Sequence, residues 1–138
     1  MAIIAIDFGK RRIGLAIAES TDSAAYPLGT ITRASRDQDF QQLGSWISSR
    51  AASQLVVGLP LNMDGTEGSS ARAARTFGAQ LATHFHLPVD YADERLTSFE
   101  ARERLSNHRR KRHRKTAVDA VAATIILEEW LAVHRNSS

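Results

Sequence analysis

Residues Met1–Ser20, MAIIAIDFGKRRIGLAIAES, decide the fold. Ala2 to Ile6 is an unbroken run of small and β-branched apolar residues. A run of this kind, rather than a strict alternation, predicts a strand buried on both faces. The basic turn Lys10-Arg11-Arg12 leads into a second apolar run, Ile13 to Ala18. Two apolar runs around a glycine-containing turn predict a β-hairpin. Asp7 breaks the pattern at the end of a central strand, where a buried, unpaired carboxylate is costly. It is either a turn-capping acid that bonds the Gly9 or Lys10 amide, or a carboxylate that faces a metal ion or a phosphate. Acids elsewhere in the chain have to decide between the two.

A length of 138 residues suits a single domain, 1–138, with room for a proper core. Hydrophobic content of 43% and charged content of 24% are those of a water-soluble globular chain. The absence of cysteine excludes disulfides, a thiolate nucleophile and a cysteine-ligated zinc site. No apolar run approaches the roughly 20 residues of a membrane span, and no basic segment precedes the first strand as a signal peptide requires. A cytoplasmic protein with no membrane partner is the expectation. Net charge is only +3, but six of the 18 Lys and Arg fall within Arg109–Lys115, which points to a polyanionic partner.

Tyr26 to Arg33 alternates in part and carries Pro27, as an edge strand does. Phe40, Leu43, Trp46 and Ile47 form one apolar stripe on a helix over 37–52, with Trp46 expected in the core. Gln54 to Pro60 is an apolar strand that ends in Gly58-Leu59-Pro60 and opens into a loop rich in Gly and Ser. Ser69 or Ser70 is placed to cap the following helix, 71–85. Arg72 and Arg75 near its start are either solvated or in contact with phosphate. Leu87 to Ala92 is a short strand that delivers Asp93-Glu94-Arg95. A capping box, Thr97 with Glu100, starts a short helix over 99–105. Asn107 to Lys115 is too densely charged to pack and is expected to be mobile. Thr116 is placed to cap a last helix from Ala117 to about His134, apolar nearly all round in its first half except for Asp119. His84 and His86 are two apart and share no helix face, so they read as helix-end residues and not as a zinc pair. Three strands followed by strand–helix alternation define an α/β chain: a mixed sheet with helices on its faces.

Three acids stand out: Asp7, Glu94 and Asp119, with Asp93 as a neighbour that could assist or replace Glu94. Ligands of open α/β sheets gather at the carboxyl ends of the strands. Hard carboxylate oxygens without cysteine point to Mg²⁺ or Mn²⁺. Two such ions about 4 Å apart can activate a water and stabilise the leaving oxygen of a phosphodiester. The three carboxylates are therefore expected within about 4–8 Å of one another. Candidate nucleic-acid contacts are Lys10, Arg11, Arg12, Asn62, Arg72, Arg75 and Arg95, with Arg109, Arg110, Lys111, Arg112, Arg114 and Lys115 as a basic clamp. An acidic centre with a basic rim reads as a nuclease.

Four blocks carry a family resemblance: Ile6-Asp7-Phe8-Gly9-Lys10-Arg11-Arg12-Ile13-Gly14-Leu15-Ala16, Val57-Gly58-Leu59-Pro60-Leu61-Asn62-Met63-Asp64-Gly65, Asp93-Glu94-Arg95-Leu96-Thr97-Ser98, and Lys115-Thr116-Ala117-Val118-Asp119-Ala120-Val121-Ala122-Ala123. In this order and over almost the whole chain they resemble the YqgF (RuvX) family, whose members carry the names pre-16S rRNA nuclease and Holliday junction resolvase. The resemblance implies an RNase H-like fold with a five-stranded mixed sheet, helices on both faces and the third strand at an edge. It also implies that Asp7, Glu94 and Asp119 match the family's acidic positions. The activity it implies is metal-dependent phosphodiester hydrolysis, endo- or exonucleolytic, at the 5′ end of pre-16S rRNA in ribosome biogenesis, or on structured DNA at a junction. Glu19-Ser20 departs from the Ser-Asp of many relatives, away from the three acids.

Two other classes compete. Asp7-x-Gly9 on a hairpin also looks like the phosphate loop of actin-like ATPases and sugar kinases, but those need two such lobes. A non-catalytic RNA-binding module would present aromatic residues for stacking, and the nine aromatics here fall mostly at core-type positions. Junction resolution asks for a two-fold dimer. The sequence shows no clear dimer surface, which favours RNA and a monomer or weak homodimer.

Overall fold

The computed structural model describes residues 2–94 and 115–137, with the backbone alone for 115–119 and 136–137. Strands β1 (Ala2–Phe8) and β2 (Arg12–Ala18) form the antiparallel hairpin, with Asp7 opposite Gly14. The Gly9 N–H donates to the Arg12 carbonyl at 3.0 Å. A Cβ at Gly9 would stand 2.6 Å from that oxygen, so only glycine closes this turn. β3 (Tyr26–Thr32) pairs antiparallel with β2 at the sheet edge. Then follow α1 (Arg36–Ser49), β4 (Ala52–Leu59), α2 (Ser69–Phe85), β5 (Val89–Asp93) and α3 (Lys115–Ser137).

The strand order is β3-β2-β1-β4-β5, with β4 parallel to both β1 and β5. The carboxyl ends of β1, β4 and β5 therefore open on one edge. Alternation splits the apolar residues into two cores, as period-two side-chain geometry requires. Ile4, Ile6, Leu15, Leu55 and Val57 pack with Phe40 and Leu43 of α1 and Phe77 and Leu81 of α2. Ile3, Ala5, Ala16, Ala18 and Val56 pack with Ala123, Ile126, Leu127 and Trp130 of α3 on the other face.

Some local readings are corrected. Gly68, not Ser69 or Ser70, is the N-cap of α2, and no side chain caps it, because the helix already begins at Ser69. Thr116 lies inside α3 rather than ahead of it. Trp46 is half-buried: it packs on the first core from its margin, beside Gly29. His84 sits in the last turn of α2 with its ring edge against Phe40, and His86 is the left-handed C-cap. The expected helix over 99–105, its Thr97–Glu100 capping box and the mobile run before α3 lie outside the described residues.

Candidate active site

Asp7 continues the parity of Ile3 and Ala5, so it faces the α3 side of the sheet. The Gly9 amide is taken by Arg12 and not by Asp7. Gly58 continues the parity of Val56 on β4, and it pairs with Ala92 on β5. Glu94 follows β5 by one residue and turns its carboxylate back over Gly58. A Cβ there would stand 3.3 Å from both Cδ and Oε1 of Glu94, and 2.6 Å from Cδ1 of Ile126. Gly58 is thus a notch between β1 and β5 that lets the Glu94 carboxylate lie down toward Asp7.

Electrostatics join the two acids. The Glu94 carboxyl is pushed up to about 7, first by burial, next by the Asp7 charge and then by Asp93. Two carboxylates that repel each other in a half-dry site fit a divalent cation with oxygen ligands, which relieves both charges at once. Among the described residues no group of three His, Cys, Asp or Glu forms a metal site by itself.

Position 119 lies on the stripe of α3 that Ala123, Ile126 and Trp130 bring to the sheet, by i, i+4, i+7, i+11 spacing. Trp130 donates from Nε1 to Asp90 Oδ2 at 3.1 Å near the start of β5, whereas Ile126 meets Gly58 near the end of β4. The helix therefore runs with its N-terminal half toward the carboxyl edge. Position 119 is about 10 Å beyond Ile126 along the axis at 1.5 Å per residue. The Asp119 side chain lies outside the described residues; of the three expected acids, Asp7 and Glu94 are the two whose charges are felt by one another.

Of the basic candidates, Lys10 and Arg11 are exposed on the β1–β2 turn at this edge, with the half-buried Arg12 beside them. Arg72 and Arg75 are engaged with the loop before their helix: Arg72 donates to the Glu67 carbonyl, and Arg75 pairs with the Glu67 carboxylate while lying over the Tyr91 ring. Asn62 is likewise used locally. Its Nδ2 donates to Thr66 Oγ1 at 2.9 Å, and its backbone bonds Thr66 and Gly65. The loop after β4 is thus built by its own polar groups. Arg95 and Arg109, Arg110, Lys111, Arg112 and Arg114 lie outside the described residues, as does the side chain of Lys115.

Sequence reasoning missed Arg33. Its Nη1 donates to the carbonyls of Gly9 at 2.9 Å and Lys10 at 3.1 Å, and its guanidinium lies 4.3 Å from the Phe8 ring centroid. The only sequence signal was a cation directly after the edge strand.

The sheet order and the two-faced helix packing define the RNase H-like fold. RuvC of Thermus thermophilus superposes with a TM-score of 0.61 at 12% identity over 99% of this chain and 97% of its own. RuvC from the same organism in complex with a Holliday junction substrate gives 0.62 at 11% over 100% and 98%. The chain belongs to the RuvX family, described as Holliday junction resolvase, which matches residues 1–133. A "Putative pre-16S rRNA nuclease" of Crocosphaera subtropica is 44% identical over 99% of this chain and 96% of its own length. Another so named, from Dechloromonas aromatica, is 44% identical over 93% and 88%. Fold and family together make the chain a nuclease, an enzyme that hydrolyses phosphodiester bonds.

Proposed function

We propose that the chain is a divalent-metal-dependent nuclease that processes the 5′ end of pre-16S rRNA, with Asp7, Glu94 and Asp119 as the acids of its active site. The observation that carries this reading is the approach of Glu94 to Asp7 over Gly58, at the carboxyl edge of three parallel strands. The names of relatives 44% identical over nearly the full chain support RNA as the substrate.

Asp7 and Glu94 would hold Mg²⁺ or Mn²⁺. When bound, the ion supplies a water made nucleophilic at neutral pH and positive charge for the leaving oxygen. The protein contributes a fixed geometry. β1 and β4 hold Asp7 and Gly58 on neighbouring paired strands, so the Asp7 carboxylate is already in place when charge develops. Ala5, Val56 and Ile126 form a dry floor, which strengthens every electrostatic interaction above it. With its carboxyl pushed up to about 7 by burial and by Asp7, Glu94 would be favoured in its ionised form by a cation held beside it. Lys10, Arg11 and Arg12 flank this edge, and Arg109 to Lys115 precede Asp119 in the chain as a clamp for phosphates.

The family description favours a second substrate, the four-way DNA junction. Cleavage of matched RNA, duplex DNA and four-way junction with Mg²⁺ or Mn²⁺ separates the two. The RNA reading expects the precursor's 5′ end to be cut fastest. Preferential, symmetric cleavage of the junction by a dimer would replace it with the second reading.

A further inference from the structure

A cavity of about 210 Å³ opens on the opposite side of β1 from Asp7, lined by Phe8, Gly9, Lys10, Arg33, Ser69 and Ser70 among others. Asp7 and Phe8 are consecutive in β1, so their side chains leave opposite faces of the same strand end. The carboxylates and this cavity are thus the two sides of one sheet edge. At this volume it is smaller than the roughly 300–1,000 Å³ of small-molecule pockets, so it takes a chemical group rather than a whole nucleotide.

The lining chooses the group. Arg33 is fixed before any ligand arrives: two carbonyls take both Nη1 protons, and Phe8 lies beneath the guanidinium. Phe8 is itself held by stacking on Phe77 at 4.1 Å between centroids. Nε and Nη2, which carry three further N–H groups, stay outside those two bonds. A guanidinium held flat with donors to spare is the geometry that receives a phosphate oxygen pair. Lys10 adds a second cation, and Ser69 and Ser70 add hydroxyls from the facing wall. None of the described lining residues is acidic.

We propose that this cavity is a second phosphate subsite, in which Arg33 and Lys10 hold a backbone phosphodiester neighbouring the one that is cleaved. The inference rests on the nuclease reading and adds to it a residue, Arg33, and a direction. The nucleic-acid strand crosses the end of β1, with one phosphate at Asp7 and Glu94 and another on the Phe8 side. A strand laid across the edge in this way meets acids on one side and cations on the other, which fixes its register on the site.

Binding of a short single-stranded RNA, unmodified and with one neutral methylphosphonate at each position in turn, tests the subsite directly. In the wild-type protein one position beside the cleaved bond should weaken binding by about tenfold or more, as the loss of a charge-assisted hydrogen bond does. Arg33→Gln should weaken the unmodified RNA by a similar factor and lower the salt slope by about 0.7. In that variant the sensitive methylphosphonate should cost nothing further. Lys10→Gln, whose side chain takes no part in the two turn bonds, should repeat the pattern and exclude a collapsed turn as the cause. Arg50→Gln, which removes the same charge at the C-cap of α1, should change affinity by no more than about twofold. An equal methylphosphonate penalty in wild type, Arg33→Gln and Lys10→Gln, alongside intact cleavage, would overturn the subsite and leave the nuclease reading standing. A wild-type protein that neither binds nor cleaves nucleic acid with Mg²⁺ or Mn²⁺ would overturn both.

Discussion

Glu94 lies against Gly58 so closely that its Cδ and Oε1 occupy the margin of the space a Cβ would need, 3.3 Å away, with Ile126 Cδ1 at 2.6 Å. Gly58→Ala should therefore lose about 1–3 kcal/mol, the usual cost of overpacking. Chemical denaturation measures it. Ile126→Val removes the clashing Cδ1, so the double variant should recover part of the loss, which is a coupling between contacting residues. Additive losses would mean that Ile126 is not what the new methyl group meets.

Stability of the ion-free protein should depend on pH through Glu94. The folded carboxyl holds its proton to about 7, against 4.5 for the ordinary group. The folded state therefore binds more protons than the unfolded state between these values, and stability falls as pH rises through this window. At 1.36 kcal/mol per unit the full effect is about 3 kcal/mol, present below 4.5 and lost above 7. Denaturation in chelator across this range should show the slope in wild type and a flatter one in Glu94→Gln. Identical slopes would remove Glu94 as its source.

The hairpin and the Asp7 anomaly were legible in the sequence because a continuous β-branched run can be broken by an acid at only a few places without cost. The helix stripes were legible for the same kind of reason: Phe40, Leu43 and Ile47 are buried at their expected spacing. Gly58 was not legible as a partner of Glu94. Its role depends on β4 lying between β1 and β5, which is a fact of topology and not of spacing. Ser69 was misread as a cap because serine is a strong N-cap residue and Gly68, one position earlier, is a permissive one. Arg33 escaped notice because its partners Gly9 and Lys10 are 24 and 23 residues away. Arg72 and Arg75 looked free beside a helix start because the sequence does not show Glu67 folding back onto them.

The loop after β4 should behave as a small self-bonded unit. Asn62→Ala and Thr66→Val each remove the Nδ2 to Oγ1 bond. Because it is exposed, either change should cost about 1 kcal/mol or less globally. Local opening should rise instead, read as faster amide exchange at Gly65 and Thr66, whose N–H groups bond within the loop. Unchanged exchange there would show that the remaining bonds hold the loop without this pair.

The proposed role of Arg109 to Lys115 as a clamp makes a salt-dependent prediction. Replacing Arg109, Arg110, Arg112 and Arg114 with Ser should flatten the salt dependence of RNA binding by up to about three units of slope, if all four touch phosphate. Melting temperature should hardly move, since a run of such dense like charge is expected to stay in water, where arginines contribute little to folding. A slope equal to that of wild type would leave this segment without a role in substrate capture.

If Asp7 and Glu94 together form the catalytic ion site, single-turnover cleavage of the RNA precursor by Asp7→Asn at saturating Mg²⁺ or Mn²⁺ should fail. The amide matches the carboxylate in shape but cannot neutralise a cation. Loss of a metal contact worth several kcal/mol should slow cleavage by at least about a thousandfold, with binding of the RNA retained. The variant should melt no lower than wild type in chelator, since the repulsion that raises Glu94 is relieved. Cleavage by Asp7→Asn at the wild-type rate, with chelator-treated controls silent, would contradict the assignment.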